Sequence, residues 1–203
     1  DPADWWTATI AAIKSLLDGI DTSQVAGLGL TGQMRGLVCL DKDGEVLRPC
    51  IMWNDQRTAD QCREMTARIG DDDVIAITGN PILPGFTAPK LRWIEENEPE
   101  VYSRIDKILL PKDYIRYKLS GEFFTDVSDA SGTSLLDVQQ RRWAHYILNE
   151  FKWPLSWLPE VTESTEATTR ISADAATATG LLAGLPIIAG GGDQAAQAVG
   201  CGI

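Results

Sequence analysis

Three short apolar runs, separated by longer stretches of helical periodicity, constrain the fold of this chain more than any other feature. The runs are VAGLGLTG at residues 25–32, KILLP at 107–111 and LPIIAGGGD at 185–193. Each is rich in small or branched apolar residues, which is typical of a buried strand. Strands that alternate with helices predict an α/β fold with a mixed β-sheet flanked by helices.

Helical patterns fill most of the chain between these runs. The first helix is predicted to start at Pro2, because apolar residues then recur at every third or fourth position up to Ile20. Segment 36–47 predicts a hairpin that turns at Asp43 and Gly44. Further helices are predicted at 56–69, 88–97, 111–121, 142–151 and 172–181, with short strands and loops at 123–138 and a last helix that begins at Asp193.

The charge and the cysteine pattern exclude several classes of partner. With 18 Lys and Arg against 29 Asp and Glu, the net charge is −11, whereas nucleic-acid binding needs a basic face. No apolar run approaches the roughly 20 residues of a membrane span. Four cysteines without CxxC spacing and a single histidine form no ligand set for structural zinc. We therefore expect a cytoplasmic protein with reduced thiols and with neither nucleic-acid nor membrane partners.

Polar side chains follow two of the predicted strands, at the sheet edge where α/β proteins bind ligands. Gln33 and Arg35 follow the first run, in TGQMRG, and can donate hydrogen bonds to hydroxyl groups or to an anion. The alternative for this segment is an ordinary solvated turn. Asp193 follows three glycines at the start of a helix. It is either an N-cap or a carboxylate that projects towards a ligand.

The segment WNDQR, residues 53–57, combines an aromatic ring with amide, carboxylate and guanidinium groups. Such a combination is typical of surfaces that bind polyols, where a ring packs on C–H groups and polar groups bind hydroxyls. Trp53 and Asp55 are therefore candidate substrate contacts. The alternative is an Arg57–Asp55 pair that organises the loop.

Six separate stretches, taken in order, resemble the first domain of the FGGY family of carbohydrate kinases. They are DPADWW, LTGQMRG, WNDQR, TGNPILPGFTAPKLRW, LPKDYIRYKLSGEFFTDVSDASGTSLLDV and AGGGDQAAQAVGCG. The resemblance covers residues 1–203 and is greatest to the xylulokinases. It implies an actin-like, ribonuclease-H-like domain that forms the sugar-binding half of a cleft. On this basis residues 1–203 are most of the N-terminal kinase domain, without its first phosphate-loop strand and without the C-terminal domain.

The same resemblance implies roles for individual residues. Asp193 matches the general base that accepts the proton of the sugar hydroxyl, and Gln194 matches a substrate-binding amide. Met34 and Arg35 match the loop that holds the sugar. Xylulokinases have histidine where this chain has Arg35, and arginine is always charged and only donates hydrogen bonds. The sugar is thus D-xylulose or, because of Arg35, another ketopentose, a polyol or an acid sugar.

The resemblance also implies ATP and Mg²⁺ as cofactors, bound mainly by parts of the protein outside residues 1–203. We expect these residues alone to be inactive and to self-associate as a homodimer through an apolar inter-domain face. Two alternatives to a kinase stay open at this point. One is a sugar-binding or regulatory module without catalysis. The other is a purely structural role, in which the glycines form a tight turn and Asp193 caps its helix.

Overall fold

Ten α-helices and nine short β-strands follow one another in a computed structural model that describes all residues from Asp1 to Ile203. The helices are α1 (Pro2–Leu16), α2 (Ala59–Ile69), α3 (Asp71–Thr78), α4 (Thr87–Asn97), α5 (Pro99–Tyr102), α6 (Pro111–Ser120), α7 (Val127–Ala130), α8 (His145–Phe151), α9 (Ala173–Thr179) and α10 (Asp193–Gly200). The strands are β1 (Leu28–Gly32), β2 (Val38–Leu40), β3 (Lys107–Leu109), β4 (Phe124–Asp126), β5 (Leu136–Asp137), β6 (Arg142–Trp143), β7 (Glu160–Thr162), β8 (Ala167–Arg170) and β9 (Pro186–Gly192). None of the helices has the length and apolar character needed to cross a lipid bilayer.

The sheet that positions the site has three strands in the order β1-β9-β8. β1 is parallel to β9, whereas β8 is antiparallel to it, so the prediction of a mixed sheet is confirmed. Gly32 pairs with Gly192, the last residues of β1 and β9. The two strands therefore end at the same level, and the residues that follow them emerge at one edge of the sheet.

A bulge in β9 allows this register. β1 advances from Gly29 to Thr31 while β9 advances from Ile188 to Gly191, so β9 carries one extra residue. Gly190, inside the bulge, has a φ of 76°, and a Cβ there would overlap the carbonyl oxygen of Leu30. Only glycine fits this position. The GGG sequence therefore has a structural role in β9 as well as a place next to the site.

The predicted hairpin at 36–47 is only partly formed. Its turn is present, with the Asp41 N–H donating to the carbonyl of Glu45, but the returning segment makes a single bridge between Leu40 and Val46. β2 instead pairs antiparallel with β3, the second predicted run. The returning segment continues into Arg48 and Pro49, and proline has no N–H to donate to a strand ladder.

Two of the three buried apolar clusters support the sheet and the elements beside it. The larger one has 22 buried residues, contributed chiefly by α2, α3, α4, α8 and the β2–β3 pair. A smaller cluster of six buried residues includes Leu119 of α6, Ala175 of α9 and Ile187 of β9. Because α6 and α9 pack against β9 in this way, the strand that leads to Asp193 is held by the core.

The structure also differs from the sequence prediction in other segments, and α1 ends at Leu16, short of the predicted end near Ile20. The helix predicted from residue 142 begins at His145, because Arg142 and Trp143 pair with β5, and the Trp143 ring is buried. Segment 123–138 contains the one-turn helix α7 between its strands. Asp126 is its N-cap, and the carboxylate accepts from the backbone N–H groups of Ser128 and Asp129.

Candidate active site

A cavity of about 320 Å³ opens where β1 and β9 end. Six residues line it, and all six are site residues predicted from the sequence: Gln33, Met34, Arg35, Trp53, Asp193 and Gln194. They come from three distant parts of the chain. The parallel register of β1 with β9 places the Gln33–Arg35 loop beside Asp193, as expected for residues that follow neighbouring parallel strands. Their roles in binding and catalysis stay predictions.

Asp193 is not at the N-cap position of its helix. It is the first residue of α10, the N-cap is Gly192, and no side chain caps this end. Within the protein the Asp193 carboxylate accepts one hydrogen bond, from the N–H of Gln194 to Oδ1 at 3.0 Å. Its other oxygen is left for a ligand, and the half-buried side chain faces the cavity. The Asp193 carboxylate thus binds one N–H in the first turn of α10 with one oxygen, and its second oxygen makes no hydrogen bond within the protein.

Met34 is packed directly against the end of β9. A Cβ on Gly192 would lie 2.6 Å from Met34 Cγ and 2.8 Å from its Sδ, so only a glycine leaves room for this side chain. The sulfur of Met34 thus rests on the residue that precedes Asp193. The two halves of the site are in direct contact through this pair.

Arg35 lies in the left-handed region of the backbone, with a φ of 73°. Its guanidinium carbon is 4.1 Å from the centre of the Phe86 ring, which is a cation–π contact. The side chain makes no salt bridge with any carboxylate, and its buried Nε has no hydrogen-bond partner. Arg35 therefore brings to the cavity a positive charge that makes no salt bridge, and it shares the cavity with the carboxylate of Asp193.

Of the remaining lining residues, Trp53 and Gln194 are exposed and Gln33 is half-buried. Trp53 is 55% exposed and offers its ring as a wall of the cavity. Gln33 makes one weak contact, from Nε2 to the Sδ of Met52 at 3.8 Å, and Gln194 is exposed. Their amide groups are consequently available to hydroxyl groups of a ligand.

The placement of Asp55 does not support the prediction that it contacts the substrate. Its carboxylate is bound by Arg57, with Nη2 at 2.8 Å from Oδ2 and Nε at 3.0 Å from both oxygens. These hydrogen bonds hold the pKa of Asp55 below its usual value. The guanidinium of Arg57 in turn stacks on Trp93 at 4.6 Å. Asp55 therefore organises the loop that presents Trp53, which is the alternative stated for this pair.

Comparison with known proteins agrees with this geometry. Residues 1–200 match the family described as "FGGY family of carbohydrate kinases, N-terminal domain". The chain belongs to the FGGY family of carbohydrate kinases. It is 46% identical over 203 residues to the xylulose kinase of Escherichia coli (strain K12), covering 100% of this chain and 41% of that protein. The chain thus spans about two fifths of the curated relatives it matches.

Solved structures confirm the predicted fold of this FGGY domain. The structure of xylulose kinase from Rhodospirillum rubrum matches with a TM-score of 0.95 and 32% identity, over 100% of this chain and 42% of that one. The structure of gluconate kinase from Lactobacillus acidophilus matches with a TM-score of 0.88 and 27% identity, over 95% and 39%. The fold is the actin-like, ribonuclease-H-like α/β fold of these sugar kinases.

A buried cluster of charges lies behind the site of this FGGY domain, and sequence reasoning assigned it no role. Lys112 Nζ is 2.6 Å from Asp113 Oδ1, 3.0 Å from Asp126 Oδ1 and 3.7 Å from Asp129 Oδ2, and all four side chains are fully buried. Burial works against the charged form of Lys112, but the three carboxylates outweigh it and raise its pKa. The fully buried Arg116 adds a second positive charge that interacts with Asp113 and Asp126.

Two carboxylates of this cluster have pKa values that are shifted in opposite directions. Burial raises the pKa of Asp129 well above its usual value, and the charges of Asp113, Asp126 and Asp193 add to the effect. The pKa of Asp126 is lowered, because the charge of Lys112 and hydrogen bonds from Ser128 and other groups outweigh the opposing effect of burial. Asp126 is therefore an ionised partner of Lys112, whereas burial works against the ionised form of Asp129.

One hydrogen-bond chain connects this cluster to the site. The hydroxyl of Ser128 donates to Asp126 Oδ2 at 2.5 Å and accepts from the N–H of Gly192 at 3.1 Å. The backbone directly before Asp193 is thus held by the buried charges. The motifs LPKDY and TDVSDASG that supply them belong to the family resemblance, but only the fold shows that they meet.

Proposed function

We propose that the complete protein transfers the terminal phosphoryl group of ATP to a hydroxyl of a small sugar, with D-xylulose as the first candidate. The observation that carries this proposal is the single cavity shared by Asp193, Gln194 and the Gln33–Arg35 loop. A cavity of about 320 Å³ is in the range of small-ligand sites. The names of the xylulose kinases from Escherichia coli and Rhodospirillum rubrum support the choice of sugar.

In the proposed reaction Asp193 acts as general base. Its free carboxylate oxygen accepts the hydrogen bond of the sugar hydroxyl and directs that oxygen at the γ-phosphorus of ATP. A bond forms between the sugar oxygen and phosphorus, the bond from phosphorus to the leaving oxygen breaks, and ADP departs. The hydroxyl proton passes to Asp193. A carboxylate suffices as base because phosphoryl transfer depends mostly on positioning and charge neutralisation, so the proton can leave late.

The cavity residues do not by themselves form a site for Mg²⁺ or for the phosphates of ATP. Asp193 is the one carboxylate at the cavity, and no group of three or more potential metal ligands occurs in these 203 residues. No Gly-Lys-Ser or Gly-Lys-Thr phosphate loop follows the glycines. We therefore assign the metal and most ATP contacts to parts of the complete protein outside residues 1–203. Activity of residues 1–203 alone is not expected, and a homodimer stays a prediction.

Arg35 favours a second candidate substrate, an acid sugar. Its guanidinium lines the cavity without an acidic partner, and a substrate carboxylate would supply one. The match to a gluconate kinase structure gives this candidate independent support. Under this alternative Arg35→His lowers kcat/KM for gluconate at least tenfold and leaves that for D-xylulose within about threefold, since a hydrogen bond to a charged group contributes roughly 1.5–3 kcal/mol.

The test is ADP release by the complete gene product with D-xylulose, D-ribulose, L-ribulose, glycerol and gluconate. Turnover of D-xylulose in preference to gluconate supports the first candidate, and the reverse preference supports the acid sugar. A non-catalytic sugar-binding module predicts calorimetric binding of one of these sugars without ADP release. That result, or the absence of both binding and turnover across the panel, would refute the proposed phosphoryl transfer.

A further inference from the structure

Lys90 is a fully buried lysine without a carboxylate partner. It lies in the first turn of α4, its side chain is 0% exposed, and it takes part in no salt bridge. Its Nζ donates two hydrogen bonds to backbone carbonyls, to that of Arg35 at 2.7 Å and to that of Gly85 at 2.8 Å. The lysine therefore connects the start of α4 to the loop that carries Arg35.

An ammonium in this position is costly for the fold. Burial lowers the pKa of Lys90 to about 8, and the positive end of the α4 dipole adds to the cost. A leucine or methionine would fill the same space without a buried charge. What lysine adds over an apolar residue is the pair of hydrogen bonds, so its role lies in the carbonyls that it binds.

Arg35 has a backbone conformation that requires stabilisation by neighbouring residues. A left-handed conformation is disfavoured for a residue with a Cβ, and the φ of Arg35 is 73°. Its carbonyl accepts from Lys90 and also from the Thr87 hydroxyl at 3.2 Å, and its guanidinium rests on Phe86. Residues 86–90 thus hold Arg35 both by its backbone and by its side chain.

We propose that Lys90 is a positioning residue that fixes the left-handed backbone of Arg35 and thereby keeps Met34 and Arg35 directed at the cavity. The proposal rests on the proposed function only where sugar affinity is the readout. Lys90 does not line the cavity, so it acts through the loop and not by contact with a substrate.

The first test combines Lys90→Met with two substitutions of Arg35 in the complete gene product. Arg35→Ala and Arg35→Gly both remove the guanidinium, but glycine adopts a positive φ without steric cost. In a protein that already carries Arg35→Ala, we expect the added Lys90→Met to raise KM for D-xylulose about tenfold and to change kcat little, because hydrogen bonds from a charged donor are lost. In a protein that already carries Arg35→Gly, we expect Lys90→Met to raise KM less than about threefold, because glycine keeps the loop in its conformation.

A second readout does not depend on sugar turnover. Lys90→Met alone should speed amide hydrogen exchange in segment 32–37 by about tenfold, because the hydrogen bonds that close this loop are lost. Lys118→Met serves as control, since Lys118 is only half-buried and has no ion-pair partner. It should leave exchange in this segment unchanged.

The two readouts separate this inference from the proposed function. Faster exchange in Lys90→Met together with an absence of turnover in the wild type would support the positioning role and refute the kinase proposal. Unchanged exchange in segment 32–37 would overturn the positioning role, whatever the activity. An equal rise in KM with Arg35→Ala and Arg35→Gly would also overturn it, because a general structural defect does not depend on the backbone preference of residue 35.

Discussion

Gly192→Ala tests whether the contact between β9 and Met34 shapes the cavity. A Cβ at this position would lie 2.6 Å from Met34 Cγ. Ordinary contacts between carbon atoms begin near 3.5 Å, so Met34 Cγ has to move by roughly 0.9 Å. The backbone angles of Gly192, φ −58° and ψ 149°, are open to alanine, so the perturbation is steric and not conformational. Because Cγ is near the backbone, rotation of the terminal methyl group does not relieve the overlap.

Two effects of known size follow from this displacement. Adding a methyl group to a filled site costs about 1–3 kcal/mol of unfolding free energy. Moving a substrate-positioning group by about 1 Å can lower the rate roughly a hundredfold. We therefore expect Gly192→Ala to lower kcat/KM for the sugar by about 10- to 100-fold.

The assay is ADP release at varied sugar concentration, with urea unfolding of the same preparations. Gly29→Ala is the matched control, since Gly29 lies in the adjacent strand β1 and no atom lies within 4 Å of its added Cβ. This control should keep kcat/KM within about twofold, as expected of a change that displaces nothing. Equal kcat/KM values and equal unfolding free energies for the two variants would refute the packing argument.

Two further predictions concern the buried charges behind the site. Lys112→Met should lower the free energy of unfolding by about 3–5 kcal/mol, because it removes the ammonium that lies nearest to the buried carboxylates. Urea unfolding of this variant and of Lys118→Met measures the loss, and equal losses in the two variants would contradict the prediction. Asp126→Asn should destabilise the protein far more than Asp129→Asn at pH 7, since the pKa of Asp126 is lowered and that of Asp129 is raised. The stability that ionised Asp126 contributes is present above its unfolded pKa of about 3.9 and is lost as the pH falls through its lower folded pKa. Thermal unfolding from pH 3 to pH 7 measures the stability of the two variants and its dependence on pH. An equal loss of stability for Asp126→Asn and Asp129→Asn at pH 7 would contradict the opposite pKa shifts of the two carboxyl groups.

The sequence predicted the part of the site that depends on strand ends. Residues 28–32 and 186–192 are apolar runs that end in glycine, and a local pattern of this kind indicates both a strand and the turn after it. Since ligands in α/β folds bind at such ends, the positions of Gln33 and Asp193 follow from local sequence and a general rule. The family resemblance then supplied the role of each residue.

The sequence did not predict contacts that depend on side chains meeting in space. Lys112 and Asp126 belong to segments that look like a helix start and a turn, where charges are usually solvated. Lys90 likewise reads as an ordinary helix residue, and only the fold shows that it is buried against the carbonyl of Arg35. For Asp55 the sequence indicated the local contact and not the position in space. The pair with Arg57 was one of the two stated interpretations, but the sequence did not show that Asp55 lies outside the cavity lining.

The most direct test of the account is the effect of Asp193→Asn on kcat and on sugar affinity, measured separately by ADP release and by calorimetry. A general base contributes about 10²- to 10⁴-fold, so kcat should fall by that factor, while asparagine keeps a hydrogen bond to the sugar and holds Kd within roughly threefold. Asp174→Asn is the control, and its kcat should stay close to that of the wild type because Asp174 is exposed on α9 and does not line the cavity. A kcat for Asp193→Asn that equals the wild-type value would contradict the assignment of Asp193 as the base.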